Sequence, residues 1–307
     1  MTKARVPFTV SCDLDLGESI RPYLSDKGAD IHIFKGDVPQ SLSQDRIKLP
    51  YQIKDDNVLL EIPNGMRILV KSGKEIIYTY PETVSQKDVS LFILGSAWGA
   101  LCYQRGLIPL HASAVTKGVN IHAFSGHSGA GKSTLSAALS HKGWDFFSDD
   151  IIIYDPQNDS DQAMCYRGQK DLKLWQDAID KTQLEKTHKV RDIKGHNKFY
   201  AKPASSSNLT HAPLENLFIL SALKGKSETD NIIKPLSGAL AINAIVKSIY
   251  RPRYAEAIMG RKAIFEALAR LSEGINIWEF KRLFLTDNFE QSVSMMDDFL
   301  KEKELSI

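Results

Sequence analysis

Cysteine is scarce in this chain. The three present, Cys12, Cys102 and Cys165, lie far apart and form no CxxC pair, which argues against a disulfide framework or a thiolate zinc site. An excess of one charge is also missing: 39 Lys and Arg stand against 37 Asp and Glu, a formal net charge of +2. With the basic residues scattered as well, neither a nucleic-acid coat nor a membrane-surface protein is expected. Long apolar runs are absent too. The longest, Leu91 to Tyr103, contains Gly95, Ser96 and Gly99 and is too short to cross a bilayer. The opening residues, Met-Thr-Lys-Ala-Arg-Val-Pro, lack the apolar stretch of a secretory signal, so the cytoplasm is the expected location. What remains is ordinary for a globular protein: 307 residues, 43% hydrophobic and 25% charged, enough for one large domain or two small ones.

Against that background one stretch stands out, Gly126-His127-Ser128-Gly129-Ala130-Gly131-Lys132-Ser133-Thr134. It carries the two glycines, the Lys and the Ser/Thr of a phosphate-binding loop at the required spacing. Its context fits as well, because Val119 to Phe124 reads as a buried strand and Ser133 to His141 as a helix. A strand, a glycine turn and a helix start gather unpaired backbone N–H groups at one point, and the helix dipole adds positive potential there. The spacing therefore predicts a nucleoside triphosphate site. Gly126, Ser128, Gly129, Ala130, Gly131 and Thr134 would form the cradle, Lys132 would reach the outer phosphates, and the Ser133 hydroxyl would hold Mg²⁺.

Upstream, residues 7 to 82 hold short β-rich runs separated by turns such as Pro63-Asn64-Gly65, which predicts a small meander-like region. Val89 to Gln104 has helical spacing. Pro109 to Val115 reads as a strand, and a turn at Lys117-Gly118 folds it back on the strand entering the phosphate loop. A hairpin centred near residue 118 sets His111 opposite Ser125, beside that loop. Downstream, Trp144 to Asp150 reads as a strand ending in two carboxylates, Asp149 and Asp150. A strand-helix-strand crossover would bring that end back to the phosphates. Paired carboxylates suit phosphoryl transfer, one in the Mg²⁺ shell and one activating a hydroxyl. Leu172 to Ala178 opens a helical stretch. Lys186 to Lys202 is basic, and although most of its charges read as a solvated face, one or two are candidates for an acidic peptide or a phosphate. The last third is helix-rich, with a strand at Ile275 to Leu283. Arg251 and Arg253 flank Pro252 in a turn that would let them contact phosphate or substrate.

The order His111, phosphate loop, Asp149-Asp150 resembles the catalytic domain of the HPr kinase/phosphorylase family, whose nucleotide-binding core is shared with phosphoenolpyruvate carboxykinases. The stretches Pro109 to Val115, Ser125 to Thr134, Ser148 to Asp150, Leu172 to Ala178 and Lys234 to Pro252 look most like HPr-kinase-related proteins encoded with ribosomally made peptides, including kinases of lasso-peptide precursors. The resemblance implies an α/β fold with α+β elements: a phosphate-loop core with a mixed sheet over residues 86–307, preceded by a β-rich region over 1–85. It implies an ATP- and Mg²⁺-dependent serine kinase acting on a peptide or protein, without nucleic-acid or membrane partners. Homo-oligomers occur in the family. Residue by residue it implies Asp149 as the base, Asp150 with Ser133 on the metal, Lys132 on the β- and γ-phosphates, and His111 steadying the phosphate or Asp149. The Glu-Arg-Gly segment tied to phosphorylase activity and protein docking in HPr kinases is missing. A small-molecule kinase and a nucleotide sensor without transfer chemistry remain open on the same core.

Overall fold

The structure, a computed structural model, describes residues 8–43, 51–158, 160–191, 197–222, 231–282 and 288–304. The first strands are β1 (Val10–Cys12), β2 (Ile31–Lys35), β3 (Tyr51–Lys54), β4 (Asn57–Glu61), β5 (Arg67–Lys71) and β6 (Glu75–Thr79). Helices α1 (Gln86–Phe92) and α2 (Trp98–Gln104) follow, joined without a break by a wider π turn at Ile93–Ala97. Next come β7 (Ile108–Leu110), β8 (Ala112–Lys117), β9 (Asn120–Ser125), α3 (Lys132–Ser140) and β10 (Asp145–Tyr154). After these lie β11 (Met164–Gln169), β12 (Leu172–Trp175), α4 (Gln176–Thr182), β13 (Lys186–Lys189), β14 (Lys198–Ala201) and β15 (His211–Ala222). The chain closes with β16 (Ile232–Pro235), α5 (Gly238–Ser248), α6 (Pro252–Met259), α7 (Arg261–Gly274), β17 (Asn276–Arg282) and α8 (Phe289–Glu304).

The chain forms two compact units. The first takes Met1–Pro109, Ile153–Gln157 and Ile249–Ala267; the second takes Leu110–Ile152, Asn158–Ser248 and Leu268–Ile307. The helical segment from 86 to 104, expected with the downstream domain, thus belongs to the first unit. In that unit β3 to β6 form the antiparallel meander that the turns predicted, and β2 and β1 extend it in parallel, giving the order β1-β2-β6-β5-β4-β3. The helices bury Trp98 against Phe8, edge to face at 5.2 Å, and α2 leaves room for the Tyr250 ring by carrying Gly99 beneath it.

In the second unit a mixed sheet runs β11-β10-β8-β9-β15-β17-β16, and β11 also pairs with the start of β15, so five strands close on themselves. β8 and β9 are the expected hairpin, with Lys117 opposite Asn120 across a two-residue loop. β10 runs in the same direction as β9, but β8 lies between them, paired antiparallel to both. Helices α3 and α8 cover one face over a core that includes Phe124, Leu135, Trp144, Phe218, Phe280 and Met296. A separate three-stranded sheet, β12-β14-β13, packs with α4 against Ala137 and Phe146 through Leu172, Leu174 and Ile179. The mixed α/β architecture agrees with the expected class. Leu172 to Trp175, expected to be helical, is strand, because its alternate apolar residues pack on that sheet; the helix starts at Gln176.

Candidate active site

The phosphate-loop residues form a turn between β9 and α3. Gly131 caps the helix in the left-handed region at φ 78°, a conformation that costs a residue with a Cβ about 1 kcal/mol or more. Gly126 approaches the sheet so closely that an added Cβ would lie 2.7 Å from the Leu220 carbonyl oxygen. The loop is thereby pressed against β15, with Ala130 buried beneath it. A cavity of about 380 Å³ opens at the N-terminus of α3, within the range of small-ligand sites. Ser128, Gly129, Gly131, Lys132, Ser133 and Thr134 line it, and so do His111, Asp149 and Asp150; Gly126 and Ala130 shape the loop from behind. All the lining residues belong to the second unit.

The hairpin register carries His111 to the loop, one residue from the expected position: Ala112 faces Ser125, and the Ser125 hydroxyl donates to the His111 carbonyl at 2.9 Å. The turn is centred between Gly118 and Val119 rather than on residue 118, which accounts for the offset. Asp149 and Asp150 lie in the middle of β10 instead of at its end. There the pairing with β8 slips between Phe146 and Ser148, and Asp150 takes φ 67°. A left-handed residue inside a strand breaks the alternation of side chains, so both neighbouring carboxylates reach the one cavity.

They meet different partners. Ser133 Oγ donates to Asp149 Oδ1 at 2.7 Å, and the Lys173 backbone N–H donates to Asp149 Oδ2 at 3.2 Å. Asp149 is buried at 2% exposure, whereas the Asp150 side chain keeps 35%. His111 Nδ1 lies 3.2 Å from Asp150 Oδ1 and 3.0 Å from the Asp150 carbonyl oxygen. Both are acceptors, so Nδ1 carries the proton. The carboxylate that meets Ser133 is therefore Asp149, and the one that meets His111 is Asp150, whereas the resemblance implied Asp150 beside Ser133 and His111 on the phosphate or Asp149.

Four further cations, Lys173, Lys181, Lys198 and Arg282, complete the cavity, and of these only Lys198 lies in the basic stretch that the sequence offered as a source of contacts. Lys173 and Lys198 act on Asp150: burial pushes its carboxyl up, but the His111 hydrogen bond and these two ammonium groups outweigh it and hold the acid ionised. Burial pulls the Lys132 and Lys173 ammonium groups down, against the opposing pull of the two aspartates. Lys132 Nζ donates to the carbonyls of Gly126 and His127 at 3.0 and 3.3 Å. Arg282, at the end of β17, donates to the Ala130 carbonyl; burial lowers it to about 10, so it stays charged at neutral pH.

No protein-family model matches the chain, and no curated protein does. Among solved structures it is similar to the HPr(Ser) kinase/phosphatase from Coxiella burnetii. The identity is 11% and the TM-score 0.34, over 64% of this chain and 91% of that one. At that score the likeness adds no weight to the site, whose geometry stands on its own.

Arg251 and Arg253 are exposed residues of the first unit, at the start of α6, where Arg251 is left-handed at φ 51°. Among the described residues no group of three or more metal-ligating side chains occurs, and no helix is long and apolar enough to cross a membrane. Ser133 and Asp149 nevertheless suit Mg²⁺, a hard cation that takes one or two protein oxygens and completes its shell with phosphate and water.

Proposed function

We propose that this protein is an ATP- and Mg²⁺-dependent kinase that transfers a phosphoryl group to a serine hydroxyl of a peptide or protein. The observation that carries this reading is one cavity holding a phosphate-loop helix start, a Ser133–Asp149 hydrogen bond and a separate His111–Asp150 pair. Phosphoryl transfer needs positioning, charge neutralisation and a proton acceptor, and each has a candidate here.

The N–H groups at the start of α3 and the Lys132 ammonium would hold the phosphates, Lys132 exchanging the loop carbonyls for phosphate oxygens. Ser133 and Asp149 would hold Mg²⁺, which supplies charge neutralisation at the transferred group. A buried carboxylate that already accepts two hydrogen bonds is poorly placed to take a proton from an incoming alcohol. Asp150 is more exposed and is held ionised. We therefore assign it the proton of the acceptor hydroxyl, with His111 orienting it through Nδ1–H. The acceptor class we propose is a ribosomally made precursor peptide, of the lasso type, on the strength of the motifs shared with kinases of that kind.

The test is intact-mass spectrometry of serine-containing precursor peptides incubated with the full chain, ATP and Mg²⁺. A gain of one phosphate is expected. Asp150→Asn should lower kcat by roughly 10²- to 10⁴-fold while leaving nucleotide binding in place. Asp149→Asn should instead raise the Mg²⁺ concentration needed for half-maximal rate. If nucleotide binds and no peptide ever gains mass, the peptide-kinase reading fails, and a small-molecule acceptor or a sensor takes its place.

A further inference from the structure

We infer that β13, the open edge of the three-stranded sheet, docks an acidic acceptor peptide as an added strand and leads its serine into the cavity. The inference rests on the peptide-kinase reading above. In the order β12-β14-β13 only one side of β13 is paired among the described residues, and all four of its residues, Lys186-Thr187-His188-Lys189, are exposed. A bulge between Lys186 and Lys189 interrupts the pairing with β14, so an added strand would pair with the short stretches on either side of it rather than along one regular ladder.

Charge selects the partner. Lysines on an edge repel a second copy of the same edge and attract a strand bearing carboxylates. Three acids lie nearby, Glu185 before the strand and Asp177 and Asp180 on α4, but Lys181, Lys198 and Lys202 join Lys186 and Lys189 to leave the region basic. A nucleic acid would meet the same charges, but its phosphodiester chain carries no N–H groups to pair with strand carbonyls, so a peptide satisfies this edge better.

The edge is also joined to the cavity. Lys186 Nζ donates to Gln176 Oε1 at 3.1 Å, at the start of α4. The neighbouring Trp175 is 47% exposed and lines the cavity, as do Lys181 and Lys198. On β14, Lys198 lies directly opposite Trp175 of β12. Exposed aromatic surface and ammonium groups thus run from the sheet into the site that holds Asp150.

The experiment is fluorescence anisotropy of the full chain with three probes: a peptide with one serine among Asp and Glu, the same peptide with Asn and Gln, and an oligo-dT strand. Lys186→Glu/Lys189→Glu is compared with Lys186→Arg/Lys189→Arg and with Lys189→Glu alone, and each variant's affinity for a fluorescent ATP analogue reports an intact fold. The acidic peptide should bind best. Charge reversal should weaken it about tenfold, the arginine pair should retain it, and added salt should weaken it. Equal binding of acidic and neutral peptides, or unchanged binding by both Glu variants, would overturn the inference. So would displacement of the acidic peptide by oligo-dT. Edge-dependent binding without phosphoryl transfer would instead count against the kinase reading alone. Transfer that is indifferent to charge reversal would count against the edge alone.

Discussion

Lowering the pH from 7.5 to 5 should destabilise the fold in large part through one imidazole on β9, with a smaller contribution of the same sign from His211. His122 is 1% exposed, and its Nδ1 lies 3.0 Å from Asn216 Nδ2. Asn216 Oδ1 accepts from Trp278 Nε1 at 2.8 Å, which fixes the amide so that its N–H points at the imidazole. Nδ1 is therefore an acceptor, and protonation would both charge a buried ring and set donor against donor. Burial lowers His122 to about 4 from an ordinary 6.5. Because the folded value is depressed, the neutral ring's contribution is complete above 6.5 and is lost as pH falls towards 4. One pH unit of difference corresponds to about 1.4 kcal/mol, so the drop from 6.5 to about 4 sets a ceiling of about 3 kcal/mol, of which about 2 kcal/mol is gone at pH 5. Urea unfolding at both pH values, followed by tryptophan fluorescence, measures this; Trp144 reports locally, since the His122 ring stands edge-on to it at 5.4 Å. His122→Gln removes the titration, so its stability should fall by about 2 kcal/mol less over that interval, whatever its absolute value. Parallel losses in wild type and variant would refute the assignment of a neutral, buried His122.

Two further outcomes follow from the packing around Asp150. A Cβ added to Gly168 on β11 would lie 2.3 Å from the Ile151 carbonyl oxygen; Gly168→Ala should therefore cost about 1–3 kcal/mol in urea unfolding and reduce transfer by shifting the neighbouring Asp150. Lys173→Met keeps the backbone N–H that meets Asp149 but removes an ammonium that holds Asp150 ionised, so the acid limb of the kcat profile should move to higher pH.

The glycine turn between β9 and α3 was legible in the sequence because its residues are contiguous: Gly131 takes the left-handed backbone that the pattern asks for, and Lys132 and Ser133 open the helix where the proposed phosphate and cation would need them. The β3–β6 meander was legible from local turn residues too, Asp55-Asp56 between β3 and β4 and Asn64-Gly65 between β4 and β5. What escaped was set by distance or by a single dihedral. Lys173 and Arg282 come from strands far along the chain, and neither lies in a pattern that a phosphate site demands. The two aspartates read as a strand end because nothing in Ser-Asp-Asp-Ile predicts a left-handed Asp150 inside a ten-residue strand. That dihedral decides which carboxylate meets Ser133 and which meets His111, so the division of roles was hidden even though the residues were not. The edge strand β13 was legible only in part: most charges of its basic stretch read as a solvated face, with one or two as candidate contacts, and only the sheet order shows that one side of the strand is unpaired among the described residues.

The charges of the cavity can be weighed as a set. Its lining holds five cations, Lys132, Lys173, Lys181, Lys198 and Arg282, against three carboxylates, Asp149, Asp150 and Asp177, a formal excess of two positive charges. A triphosphate carries about four negative charges near neutral pH, and one Mg²⁺ brings this to about two. The formal excess on the wall thus matches the charge of the proposed donor. Burial disfavours the charged forms of Lys132 and Lys173, and the negative field of a bound triphosphate would oppose that shift as the two aspartates already do. A cavity lined only by cations would bind phosphate more tightly but would lack a group to accept a proton. Asp150 supplies such a group, although the His111 hydrogen bond and the Lys173 and Lys198 ammonium groups that hold it ionised also lower its affinity for a proton.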